Sequence, residues 1–127
     1  MNKTEVSTHK APQAIGPYSQ GIKAGGFLFV SGQLPIDPGK GILLDGDISV
    51  RAEQVFKNLA AIIDAAGGSM SDVVKITLFL TDMNDFKSVN DIYSKQFKAP
   101  FPARSAVQVS ALPMGSNIEA EAFVCIP

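Results

Sequence analysis

Residues 21–32 read Gly-Ile-Lys-Ala-Gly-Gly-Phe-Leu-Phe-Val-Ser-Gly, two short apolar runs joined by a glycine pair. Gly25-Gly26 has no side chain to oppose the positive φ angles of a tight hairpin turn, so Gly21–Ala24 and Phe27–Gly32 are predicted as its two strands. Side chains alternate along a strand, which sends Phe27 and Phe29 to one face and Leu28 and Val30 to the other. Both faces are apolar and both need cover. One is expected against helices and the other against a second subunit.

Upstream of the hairpin, Thr4–Thr8 suits a first strand, and Pro12 and Pro17 hold Ala11–Ser19 extended, placing Tyr18 beside a rigid turn. Downstream, Leu34–Gly46 carries Pro35, Pro38, Gly39, Gly41 and Gly46 and is expected as a surface loop. From about Ile48 to Ala66, residues Ala52, Val55, Leu59, Ile62 and Ala66 recur at three- and four-residue spacing, the stripe of an amphipathic helix that Gly67-Gly68 stops. Val73–Leu80 is β-branched and apolar, with Val74, Ile76, Leu78 and Leu80 assigned to one face. Asp82 caps a predicted second helix, Asn84–Phe97, whose apolar face is Phe86, Val89, Tyr93 and Phe97. Ala103–Val109 and Asn117–Ile126 read as closing strands. This order predicts an α+β fold, two helices covering one face of a mixed sheet, with residues 1–127 as one domain. Apolar surface left on the other face predicts an oligomer.

Composition narrows the function. Eleven basic residues against twelve acidic ones leave a net charge of −1 with no polybasic run, so nucleic acid is not the expected partner. The longest apolar stretch, Phe27–Val30, is far short of the roughly 20 residues that span a bilayer, and no apolar signal segment is evident, which fits a soluble cytoplasmic protein. Cys125 is the only cysteine, which excludes an internal disulfide and a zinc cluster within one chain, and it is expected to pack as a small apolar group. His9 is the only histidine and lies in a terminal segment poorly suited to holding a catalytic base. No metal site is expected, and any chemistry must come from carboxylates, hydroxyls, backbone groups or arginine.

Arg104 opens a strand whose neighbours Ala106, Val107 and Val109 are small or apolar. Such an arginine either makes a structural ion pair, reaches water at the strand end, or offers its planar fork to a carboxylate ligand. Glu119 and Glu121 share one face of the last strand; they form a solvated outer face, or one of them orients water or accepts a proton. If the two closing strands make a hairpin, Glu119 pairs near Gln108, roughly 13 Å along the strand from Arg104. That exceeds one pocket, so a site using both is expected to draw them from different subunits. Asn90 interrupts the apolar face of the second helix and needs a hydrogen-bond partner. Ser31-Gly32 offers a hydroxyl and an approachable N–H, or only a strand-end turn.

Several segments carry a resemblance: Ala14-Ile15-Gly16-Pro17-Tyr18-Ser19-Gln20-Gly21, Ser31-Gly32-Gln33, Asn84-Asp85-Phe86 with Asn90, Phe101-Pro102-Ala103-Arg104-Ser105 and Ile118-Glu119-Ala120-Glu121-Ala122. In this order, from residue 14 to 122, they closely resemble the RidA/YjgF/UK114 family. The resemblance implies a chorismate-mutase-like fold and a homotrimer whose sheets form a central barrel, helices outside, with three sites at subunit interfaces. It also implies cofactor-independent hydrolysis of reactive 2-imino acids, such as 2-aminoacrylate and 2-iminobutyrate, to 2-oxo acids and ammonia. On that basis Arg104 clamps the substrate carboxylate, Ser31 and Gly32 help to orient it, Glu119 positions the attacking water, Tyr18 exchanges a proton with the departing nitrogen, and Asn90 holds the pocket wall or a water. Ala106 stands where some family members have cysteine, so no thiol is essential, and the change alters the room beside Arg104. Three competing expectations are a non-catalytic sensor of 2-oxo acids, an RNA-cleaving inhibitor of translation, which the charge balance disfavours, and a holdase using the apolar loop at Leu112-Pro113-Met114.

Overall fold

A computed structural model describes residues 2–127. Strands β1 (Thr4–Val6), β2 (Gly21–Ala24) and β3 (Phe27–Gln33) are followed by a small hairpin, β4 (Ile36–Asp37) with β5 (Ile42–Leu43). Helix α1 (Ile48–Ala65), strand β6 (Val73–Leu80), helix α2 (Phe86–Ser94) and strands β7 (Ala103–Gln108) and β8 (Ile118–Cys125) complete the chain. The main sheet has the order β1-β2-β3-β8-β6-β7, antiparallel except for the parallel pair β6·β7 that α2 connects. It is the mixed α+β architecture that the element order predicts.

Gly25 and Gly26 take φ of 59° and 81°, the pair of positive angles required by a two-residue turn whose twist matches that of its strands. The turn registers Lys23 opposite Leu28 and Gly21 opposite Val30. Asp47 starts α1 by accepting from Val50 N at 3.0 Å, and the chain turns off beyond Ala66 with Gly68 N donating to Ile63 O at 3.0 Å. The helix stripe lies against the sheet: Ala52, Val55, Leu59 and Ile62 are fully buried, with Leu28, Ile76, Leu78, Ile118 and Val124 beneath or beside them. The opposite face of the sheet has no helix. There Phe27, Phe29 and Phe123 cluster, each 41% exposed, with Phe29 edge-on to Phe123 at 5.3 Å between centroids.

Several elements depart from the sequence-based expectation. The expected loop at 34–46 contains the β4–β5 hairpin, too short to leave a periodic signal. Strand β1 ends at Val6, and the second helix runs only over Phe86–Ser94, preceded by a single 3₁₀ turn at Met83–Asp85 that Asp82 caps through Asn84 N. A register shift between Val73 and Lys75 turns Val74 outward (43% exposed) and puts Val73 in the core instead. The closing strands do not form a hairpin, because β6 lies between them and pairs with both. Cys125 is exposed, opposite Phe27 on the open face, rather than packed inside. The bulge gives a stability test: Ile76→Ala is expected to cost about 2–5 kcal/mol and Val74→Ala to stay within about 0.5 kcal/mol in urea unfolding. Equal losses would contradict the inserted residue at 74.

Candidate active site

The expected site residues fall into two clefts on opposite faces of the sheet. The first, about 710 Å³, is lined by Tyr18, Ser31, Gly32, Glu119 and Glu121, with Pro113 and Met114 at its rim. The second, about 390 Å³, is lined by Asn90, Tyr93 and Ser94 of α2 and by Phe101, Pro102 and Arg104. Ala106 lines neither. It pairs with Leu78, two residues beyond Arg104, and packs against the core, so its small size affects the cleft only from beside it.

In the first cleft the strand β3 is interrupted. Its register with β8 shifts between Val30, opposite Ala122, and Gln33, opposite Ala120, which leaves Ser31 and Gly32 as a bulge opposite Glu121, with the Glu119 side chain against Gly32. A Cβ at Gly32 would lie 2.6 Å from Glu119 Oε2 and 2.8 Å from its Cδ, so glycine is what lets the carboxylate rest against the bulge. Ser31 N donates to Gln20 O at 2.9 Å and Ser31 Oγ to Ser19 O at 2.6 Å. In that hydrogen bond the serine hydroxyl is the donor, which leaves its oxygen free to act as an acceptor. The buried amide of Gln20 ties this wall to the segment before it: Nε2 donates to Pro12 O (2.7 Å) and Thr8 O (3.1 Å), while Oε1 accepts from Thr8 N (2.7 Å). Tyr18 is half-exposed, and its hydroxyl accepts from Ile15 N at 3.4 Å, which leaves its own proton available.

Partial burial raises the Glu119 carboxyl above its usual range, and the charge of Glu121 raises it further. The two glutamates are opposite Phe79 and Thr77 of β6, on the open face of the sheet.

In the second cleft, Arg104 is placed opposite Ile76 and so points to the helix side. Its guanidinium carbon sits 4.7 Å from the centroid of Tyr93 and 5.2 Å from that of Phe86, and its Nη1 donates to Asn90 Oδ1 at 2.6 Å. No carboxylate pairs with it among the described residues. Asn90 thus holds the arginine. Tyr93 is 4% exposed, its hydroxyl is buried without a partner among the described residues, and burial raises its pKa against the lowering effect of Arg104. Spacing alone places Phe86 and Tyr93 on the apolar, core-facing side of the helix. The signal that they also serve the site is their position at i−4 and i+3 from Asn90, on the helix face nearest the following strand.

Arg104 and Glu119 are not brought together. Their partners on β6, Ile76 and Phe79, are three residues apart, roughly 10 Å along the strand, and the two residues are two strand spacings apart, about 10 Å more. They also face opposite sides. The separation expected from a hairpin is real, but its cause is the intervening strand.

The Glu119 shift makes a pH prediction. An unfolded glutamate ionises near 4.3, and the folded group ionises above that, so the charged form is destabilising above the folded pKa and neutral in effect below the unfolded one. Glu119→Gln should therefore raise the melting temperature at about pH 8 and leave it unchanged at about pH 3.5. The same shift at both pH values would contradict the burial of a charge there.

Among known proteins, the family model described as endoribonuclease L-PSP matches residues 8–126. A RutC family protein of Pyrococcus abyssi is 51% identical over 123 residues, 97% of each chain. The human 2-iminobutanoate/2-iminopropanoate deaminase is 50% identical over 117 residues, 92% of this chain and 85% of that one. The crystal structure of Escherichia coli TdcF with bound serine superposes with a TM-score of 0.93 at 40% identity, covering 98% and 99% of the two chains. With its mixed sheet, its two helices and these matches, the chain belongs to the endoribonuclease L-PSP family, that of the YjgF and RidA proteins.

Proposed function

We propose that this protein is an imine deaminase that hydrolyses 2-iminobutanoate, 2-iminopropanoate and related reactive imino acids to 2-oxo acids and ammonia, in sites built from two subunits of a homotrimer. The observation that carries the proposal is the state of Arg104: two aromatic rings and one amide hold its guanidinium at the mouth of a cleft, and it has no counter-charge among the described residues. A planar fork in that condition suits a small carboxylate. The human relative named as a deaminase and the relative with bound serine support a substrate of amino-acid type. The uncovered face with Phe27, Phe29 and Phe123 supports association of protomers, which would bring the Arg104 cleft of one chain to the Glu119 cleft of the next.

In this arrangement Arg104 binds the substrate carboxylate. The acceptor oxygen of Ser31 and the backbone at Gly32 orient the imine nitrogen. The protonated imine carbon is already electrophilic, so the reaction needs positioning more than activation and requires no cofactor. Water attacks that carbon as Glu119 takes a water proton, and the C=N electron pair moves to nitrogen. Glu119, whose raised pKa makes it a willing acceptor and donor, returns the proton to the amine of the tetrahedral intermediate. The C–N bond then breaks as the hydroxyl oxygen forms the carbonyl, and the remaining hydroxyl proton leaves with ammonia as ammonium. The Tyr18 hydroxyl oxygen accepts a hydrogen bond from the nitrogen during that departure.

The test is release of ammonia and oxo acid from freshly generated 2-iminobutyrate. Wild type should accelerate it clearly over buffer, and Arg104→Lys, which keeps the charge and loses the fork, should lower kcat/KM by about 100-fold or more. No acceleration by a folded protein that binds 2-oxobutyrate would make it a carboxylate sensor instead. RNA cleavage that persists in Arg104→Ala would restore the nuclease alternative.

A further inference from the structure

Glu121 is not used in the mechanism above, yet it lines the same cleft as Glu119. The two side chains leave β8 on one face, about 6.8 Å apart along the strand. Within one protomer, the cleft wall carries both carboxylates and no lysine, arginine or histidine among the described residues. The nearest cation in register is Lys75, which faces the same side of β6 beyond Thr77; its Nζ donates to Ser105 Oγ at 3.3 Å on the far strand, and it does not line the cleft. Tyr18 is the other titratable group on the wall. Two carboxylates are more than a single water-orienting base requires.

We propose that Glu121 determines specificity: with Glu119 it makes the reacting end of the site anionic, so that the site selects a ligand carrying a cation there, the protonated imine, over the uncharged carbonyl of the 2-oxo acid product. The inference rests on the deaminase site proposed above and adds to it a charge-based preference for substrate over product. Arg104 supplies the charge for the carboxylate end, which substrate and product share. The glutamates act on the end at which the two differ. Burial, and after it the charge of Glu121, raises the Glu119 carboxyl, and the second of these causes follows from the same placement. A unit charge at this range in a partly solvated cleft is worth about a tenfold preference.

Calorimetric titration with two unreactive probes tests this without turnover. The probes are 2-aminobutyrate, with an ammonium at the reacting carbon, and 2-oxobutyrate, with a carbonyl. Wild type should prefer the amino acid; Glu121→Gln should lower the ratio of the two affinities about tenfold, chiefly through weaker amino-acid binding, and Glu121→Asp should retain most of the preference. An unchanged ratio in a folded Glu121→Gln protein overturns the proposal and leaves the deaminase site standing. Loss of preference in Glu121→Asp equal to that in Glu121→Gln also overturns it, since geometry rather than charge would then be at work. Failure of wild type to bind either probe overturns the two-subunit site itself, and the specificity role with it.

Discussion

Arg104 is supported by the rings of Tyr93 and Phe86 and held at its side by Asn90, and the rest of the site depends on the charge this leaves unneutralised. Aromatic faces and one amide oxygen fix the orientation of a guanidinium without cancelling it, which an ion pair would do. The strand that carries Arg104 is parallel to β6 because α2 must cross between them, so the helix that bridges the two strands is also the one that supplies the rings and the amide. The connection that sets the strand order thus also seats the arginine.

The same topology keeps Glu119 away from Arg104. Strand β6 lies between β7 and β8, and the alternation of side chains sends Arg104 to the helix side and Glu119 to the open side. Glu119 is instead seated by β3, where the Ser31–Gly32 bulge makes room for its carboxylate and Gln20 fastens that bulge to the chain before it. One protomer therefore carries two separate clefts, together with an aromatic face that no helix covers.

Features with a local cause were legible in the sequence. Two adjacent glycines announced the hairpin, the three- and four-residue spacing of Val55, Leu59 and Ile62 announced α1, and Asp82 announced a cap. Features with a nonlocal cause were not. Nothing near Ala103 or Ile118 says that β6 will lie between their strands, and nothing in the β-branched run at 73–80 says that Val74 is an inserted residue. At the site, Arg104 and Glu119 stood out as charges among apolar neighbours. Phe86 and Tyr93 did not, because a ring under a guanidinium and a ring in a core have the same periodicity until the arginine's position is known. The partner of the Ser31 hydroxyl, Ser19 O, is likewise defined only by the fold.

The central claim is that Arg104 and Glu119 of different chains serve one site, and subunit mixing tests it most directly. Arg104→Ala and Glu119→Ala proteins, each inactive alone, would be unfolded together in equal amounts, reassembled and assayed for imine hydrolysis. If the site is shared, random reassembly restores one intact Arg104–Glu119 combination in about a quarter of the interfaces, and activity returns to about a quarter of that of wild type treated in the same way. If both residues serve within one chain, the mixture stays as inactive as its parents, and the account is contradicted.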